Sequence, residues 1–217
     1  YFLLMTYNSG ENSIFEKIKK LDPGNFLIFK KNKLSIFKYS KINKSVVERK
    51  KANMQSYEIL DQLIHKSISS QMISDVPVGL LLSGGFDSTL IAQHTSKLNK
   101  KLQTFTVDYS EEKKNNEIEI VSKTIDTLKL ENKSIQINNS EALNELDYIL
   151  GKLSEPLGDS AIVSLSKSIK LAKNEGIKVL LTGVGADELF FGYSRYNPYS
   201  NIQRRFVHLI KNFNLNI

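Results

Sequence analysis

One alternation constrains this chain more than anything else in it. From Val78 onward, short runs that are apolar throughout are separated by stretches of helical spacing. The runs are "VGLLLS" (78–83), "LQTFTVDY" (102–109), "SIQI" (134–137) and "IKVLLTG" (177–183). Helical spacing covers 88–98, about 117–128, 141–153 and 162–174, and Ala186–Phe190 opens one more helix. Strands of this kind have no polar face to offer water, so they belong in a sheet covered on both sides. The intervening helices also supply the crossovers that parallel neighbours need. The expected fold class is α/β, an open parallel sheet with helices on both faces. Ligands of such sheets bind past the carboxyl ends of the strands, and two glycine-rich loops, "SGGFDS" and "TGVGADE", fall at such ends.

The part before this alternation has a different texture. In "SIFEKIKKLDPGNFLIFKKNKLSIFKY" (13–39) two alternating runs, Asn25–Lys30 and Lys33–Lys38, are joined by a polar link and preceded by "DPG". That pattern predicts a β-hairpin. Residues 40–53 are polar and charged and read as a linker. Ile59, Leu60, Leu63, Ile64, Ile68 and Met72 then recur at helical spacing until "SDVP" ends the element. The chain starts at Tyr1 without an initiator Met or a basic leader, and a fragment of a longer protein is expected.

Composition removes several classes of function. No cysteine occurs among the 217 residues, which excludes disulfides, thiolate zinc sites and a cysteine nucleophile within them. No apolar run approaches the roughly 20 residues that span a bilayer, so a cytoplasmic protein with no membrane contact is expected. The net charge of +7 raises a nucleic-acid reading. The lysines are dispersed, however, interleaved with Asp and Glu and without alternating aromatic platforms, so they read as a solvated surface and no specific nucleic-acid partner is expected. His65, His94 and His208 lack metal-ligand spacing, and the first two are expected on helix surfaces. "NIQRRFVHLIKNF" reads as an amphipathic helix with Phe206, Leu209, Ile210 and Phe213 on a packing face.

The chemistry sits in the two loops. Gly84 and Gly85 let the backbone approach a ligand closely, and their N–H groups with the following helix N-terminus suit an anion. Ser83 and Ser88 add hydroxyls. Asp87 is out of place beside an anion unless a divalent cation lies between them. Magnesium is held by one or two carboxylates together with phosphates, so a phosphate chain with Mg²⁺ accounts for the whole set. The loop lacks the Walker A pattern. The second loop brings Asp187, which either shares that ion or holds another. Taken alone, "TGVGADE" is equally a glycine turn with acids in the next helix.

Together, "LLLSGGFDST" and, about a hundred residues later, "LLTGVGADELFFGYSRY" resemble the synthetase domain of glutamine-dependent asparagine synthetases. The first motif is shared with ATP pyrophosphatases at large; the second is narrower. "SEPLGDSA" (154–161) is similar to the family's E-P-x-x-D-x-[SA] loop, and residues 13–39 resemble the close of the glutaminase domain. The resemblance implies an adenine nucleotide alpha-hydrolase-like fold over 54–217, incomplete at its end, after the last part of a glutamine amidotransferase domain over 1–46. It implies ATP and Mg²⁺, and amidation of a small-molecule carboxylate through an acyl-adenylate, with ammonia from glutamine hydrolysed in the adjoining domain. Ser83, Gly84, Gly85, Asp87 and Ser88 would grip pyrophosphate, and Asp87 and Asp187 would be the catalytic metal ligands. Leu82, Val107, Thr182 and Gly183 would line the adenosine pocket, and Glu155, Asp159 and Ser160 would lie near the acceptor. A homodimer is left open.

The departures from the pattern matter as much. Val184 stands where the family has a Glu, and Val neither accepts a proton nor a hydrogen bond. "LKLENK" (128–133) replaces the family's G-T-x-H region, and Phe191 replaces a usual Gly. The glutaminase Cys and a later Lys of the second half-reaction are not among these residues. An acceptor other than aspartate is therefore expected. A tRNA-modifying ATP pyrophosphatase and an inactive nucleotide-binding relative are the alternatives.

Overall fold

In the computed structural model, residues 7–8, 10–40, 53–99, 102–109, 116–190 and 192–193 are described. The expected hairpin forms at its expected bounds: β1 (Asn25–Lys30) pairs antiparallel with β2 (Lys33–Lys38), in register from Asn25↔Lys38 to Lys30↔Lys33. Its two-residue turn places Lys31 and Asn32 at φ 49° and 59°, as the twist-matching type I′ turn requires. Both faces of the hairpin are apolar. Phe26 and Phe37 stack at 5.2 Å on one, while Leu27, Phe29, Leu34 and Ile36 share the other by their alternation and pairing.

Helix α1 (Met54–Gln71) starts two residues before the helical texture is obvious, because Asn53 and Ser56 form a reciprocal cap. Ile68 is buried and Ile64 and Met72 are half-buried, whereas Ile59, Leu60 and Leu63 are exposed. Then come β3 (Val78–Leu81), α2 (Phe86–Leu98), β4 (Gln103–Tyr109), α3 (Asn116–Leu128) and β5 (Glu131–Ile137). They are followed by α4 (Asn139–Leu150), α5 (Ala161–Asn174), β6 (Val179–Leu181) and α6 (Ala186–Phe190). β3 to β6 form one parallel sheet in the order β5-β4-β3-β6.

Helices cover both faces, as the unbroken apolar strands require. Leu80 and Leu82 point into a cluster with Ala92, Val121 and Leu130, against which Met72, Ile91, Ile125 and Leu128 pack, so α1, α2 and α3 lie on that side. On the other side Phe105 meets Ala172 and Ile177, and Ile137 meets Ile149 and Val163, which places α4 and α5 there. α2 starts at Phe86 where the sequence reading had 88, and three further features depart from that reading. β5 begins at Glu131, three residues earlier than expected, because its polar half lies at one end of the described sheet. There Asn132 Oδ1 accepts from the Thr104 and Thr106 hydroxyls at 2.8 and 3.2 Å. α4 runs Asn139–Leu150 rather than 141–153, started by an Asn138–Glu141 capping box. His94 is not a surface residue: it is 2% exposed at the α1–α2 contact, with Nδ1 3.4 Å from His65 Nδ1 and Nε2 3.2 Å from an Asp61 carboxylate oxygen. Its position in the middle of α2's inner face explains this, since Ala92 and Thr95 beside it are also buried. Phe191, His208 and the helix expected over 201–213 lie outside the described residues, as does most of the 40–53 linker.

Candidate active site

The strand order defines where a ligand can sit. The chain moves outward from β3 to β4 to β5, then returns to add β6 on the far side of β3. The loops after β3 and β6 therefore leave neighbouring strands side by side at the carboxyl edge of the sheet, the usual binding place of open α/β sheets. Both glycine-rich loops expected from sequence occupy that place.

Leu82 follows β3 with its backbone and side chain already engaged. Its side chain is 1% exposed, its N–H donates to Phe105 O at 2.9 Å, and its carbonyl accepts from Thr106 Oγ1 at 2.9 Å. It can serve a ligand only as wall. Gly84 then turns at φ +83°, and a Cβ there would run into the backbone carbonyl of Glu117. The two serines close the loop on itself: Ser83 N donates to Ser88 Oγ at 3.3 Å, the two hydroxyls lie 3.1 Å apart, and Ser88 Oγ donates to Gly85 O at 3.1 Å. Gly85 N reaches Ser83 Oγ at 3.4 Å. Ser88 is buried and Ser83 exposed, so Ser83 is the hydroxyl able to turn toward an anion. Thr89 Oγ1, one residue on, is a buried hydroxyl with no partner among the described residues. Sequence reading passed over it, although the hydroxyl pair "ST" was in view.

The second loop lies against the first. A Cβ on Gly183 would stand 3.0 Å from Asp87 Cβ and 3.5 Å from Ser88 N, so only a glycine lets the backbones approach this closely without displacement. Thr182 Oγ1 accepts from Val184 N at 3.4 Å, Gly185 takes φ +101°, and Val184 is 85% exposed between them. Asp187 stands in the first turn of α6, its carbonyl accepting from Gly192 N at 3.1 Å. Asp87's carboxyl is pushed above the ordinary range, first by burial and then by the negative charge of Asp187. Two hard oxygen donors that repel one another across a crevice suit a divalent cation such as Mg²⁺, so this donor set fits the ion expected from sequence.

The remaining expected residues lie at the same edge but are not gathered as tightly. Val107 is half-buried against the cluster of Ile137, Ile149 and Val163. Tyr109 OH lies 2.6 Å from Ser164 Oγ, which pins the first turn of α5 to the carboxyl end of β4. The loop just before that turn holds Glu155, Asp159 and Ser160. Asp159 Oδ1 accepts from Ala161 N at 3.0 Å, Ser160 caps α5 by position without a side-chain bond, and Glu155 is tied to Lys20. Among the described residues no hydrogen bond joins this loop to Asp87 or Asp187. Tyr193 OH donates to Glu188 Oε1 at 2.6 Å.

Residues 59–214 match the family model described as asparagine synthase. The chain belongs to this family. It is 36% identical over 180 residues to asparagine synthetase [glutamine-hydrolyzing] 1 of Bacillus subtilis, covering 82% of this chain and 28% of that relative. A putative asparagine synthetase [glutamine-hydrolyzing] of Mycobacterium bovis is 34% identical over 140 residues, 64% of this chain and 21% of its own length. The chain thus spans less than a third of the length of these relatives. Among solved structures it is similar to an NH3-dependent NAD synthetase of Campylobacter jejuni, with a TM-score of 0.46 and 20% identity over 64% of this chain and 61% of that one.

Proposed function

We propose that this chain carries the nucleotide site of an ATP-dependent amide ligase of the asparagine synthetase type, acting on a small-molecule carboxylate. The observation that carries the reading is the pairing of two glycine loops across the β3–β6 reversal, with Asp87 and Asp187 close enough for one to raise the pKa of the other. An acceptor carboxylate oxygen attacks the α-phosphorus of ATP, the bond to the bridging oxygen breaks, and pyrophosphate leaves. Ammonia then attacks the acyl carbon of the adenylate, AMP departs, and the amide nitrogen gives up a proton. Magnesium held by Asp87 and Asp187 would neutralise the charge of the departing pyrophosphate. The chain's own groups do the rest. Ser83 offers its hydroxyl and Gly84, Gly85 and Ser88 their backbone N–H groups to the pyrophosphate, in place before the charge develops. Leu82, Val107, Thr182 and Gly183 form the wall for the adenosine. Glu155, Asp159 and Ser160 border the acceptor, and the hairpin belongs to a glutaminase domain that supplies ammonia.

Val184 sets the acceptor end apart. An exposed apolar side chain there has no charge to orient an aspartate, while the flanking glycines leave the backbone free to approach the nucleotide. The test is pyrophosphate release by the complete protein with Mg-ATP, ammonia and a panel of aspartate, sugar carboxylates and peptide carboxylates. Release is expected with a carboxylate other than aspartate, and Asp87→Asn and Asp187→Asn should each reduce it by a factor of about 100 or more with the fold intact. Full release by both variants would remove the metal assignment, and brisk asparagine formation by the wild type would overturn the reading of Val184.

A further inference from the structure

A second carboxylate at this edge of the sheet is held from outside the sheet altogether. Glu155 Oε2 accepts from Lys20 Nζ at 3.2 Å and from Asn8 Nδ2 at 3.3 Å. The pair is half-buried, with 34% of the Lys20 side chain and 23% of that of Glu155 exposed. Lys20 is itself well braced. Its Nζ donates to Asn8 O at 2.6 Å, its N–H donates to Glu11 O at 2.8 Å, and Asn12 and Lys19 bridge beside it. Asn8 and residues 10–20 are thus tied together, directly before the hairpin. Among the described residues, these two bonds to Glu155 are the hydrogen bonds that join residues 7–40 to residues 53–193. They end in the loop that leads into α5, whose first turn is pinned to β4 by Tyr109 and Ser164.

We propose that Lys20 is a positioning residue: through Glu155 it sets the acceptor loop 154–160 and couples that loop to the hairpin-bearing segment. The inference rests on the reading of that loop as acceptor-facing. Its chemistry is specific. An unpaired Glu155 would present a negative charge to an incoming carboxylate and would lose the contact that holds its loop. Lys20 removes both penalties at once.

The test uses the complete protein as wild type, Lys20→Met, Lys20→Arg and Lys20→Met combined with Glu155→Gln. Amide exchange across residues 154–163 is read first, because Ala161 and Val163 N–H groups are bonded to Asp159 Oδ1 and Ser160 O in this loop. Lys20→Met should speed exchange there roughly five- to tenfold, with 78–98 unaffected and Lys20→Arg close to wild type. Unchanged exchange in Lys20→Met overturns the coupling. Pyrophosphate release is then followed with aspartate, glucuronate and glycylaspartate. Lys20→Met should raise the acceptor KM about tenfold while kcat stays within about twofold, and the double variant should stay similarly impaired, because it lacks the same contact. A fall in kcat at constant KM, or recovery of the wild-type KM in the double variant, overturns the positioning role. Failure of the wild type to bind Mg-ATP would count against the proposed function alone, since the exchange measurement decides the coupling without it.

Discussion

At the scale of single residues, the crevice depends on atoms that are missing from side chains as much as on those present. Gly183 and Gly185 flank Val184, yet they are glycines for different reasons. Gly183 has Asp87 Cβ and the Ser88 backbone against it, whereas Gly185 has φ +101° and open space where a Cβ would go. Gly183→Ala should therefore push Asp87 aside, lowering stability by about 1–3 kcal/mol through overpacking and weakening Mg-ATP binding at least about tenfold. Gly185→Ala should lower stability by about 1–2 kcal/mol through backbone strain, while retaining more of the nucleotide affinity. Thermal unfolding and Mg-ATP titration of both variants separate the two causes. Equal losses of affinity would show that contact with Asp87 is not what Gly183 protects. These roles were half legible beforehand. The motif named both glycines, but whether a Cβ would meet an atom or only a strained dihedral depends on how the two loops approach each other, and that requires the sheet.

At the scale of elements, unbroken apolar strands and helical periodicity placed every helix and strand of the sheet, and the misreadings fell where polar residues carry structure. The first half of β5 is Glu131, Asn132 and Lys133, invisible to a hydrophobic pattern because an outer strand needs no apolar run. Caps at Asn53 and Asn138 moved two helix starts for the same reason. The contact between α4 and α5 is another polar device. Glu145, 5% exposed, receives Lys170 Nζ at 2.7 Å and the Ser166 hydroxyl, with Lys167 Nζ at 3.8 Å, and the Lys170 ammonium lies 3.7 Å from the Tyr148 ring centre. Burial alone would raise the Glu145 carboxyl, but the hydrogen bonds of Lys170 and Ser166 and the charges of Lys170 and Lys167 outweigh it and hold it below its ordinary range. A carboxyl lowered in the folded state adds stability above its unfolded value, near pH ~4.3, and loses it as pH falls through the folded value. Glu145→Gln should thus cost about 1–3 kcal/mol at pH 7, moderated by the half-exposed Lys170, and the gap from wild type should narrow toward pH ~3. Urea unfolding of both proteins across that interval checks it, and a gap independent of pH would mean that packing rather than charge joins the two helices.

At the scale of the whole molecule, the +7 charge is the property most open to misreading. A basic chain with the proposed pyrophosphate loop would also suit an enzyme that acts on tRNA, so the arrangement of the charge has to decide. Lys20 pairs with Glu155, Lys123 with Glu119, Lys133 with Glu175, and Lys167 and Lys170 with Glu145. These pairs are spread over the N-terminal segment, α3, β5 and α5, so the paired lysines of the described residues do not gather into one field. The densest runs in the described structure are Lys17, Lys19 and Lys20 before the hairpin and Lys30, Lys31 and Lys33 at its turn. Three such lysines, each neutralising one phosphate, would give a slope of log affinity against log salt of only about −3 on a duplex and nearer −2 on a single strand. Binding of tRNA should accordingly be in the non-specific range, with Kd weaker than about 10⁻⁶ M at physiological salt, and indifferent to which tRNA is offered. Titration of the complete protein with one purified tRNA and with an unrelated RNA, at two salt concentrations, distinguishes the cases. A complex that survives physiological salt and prefers one RNA by a factor of about 1,000 would require a recognition surface that this distribution of lysines does not provide, and would turn the nucleotide crevice toward RNA as its acceptor.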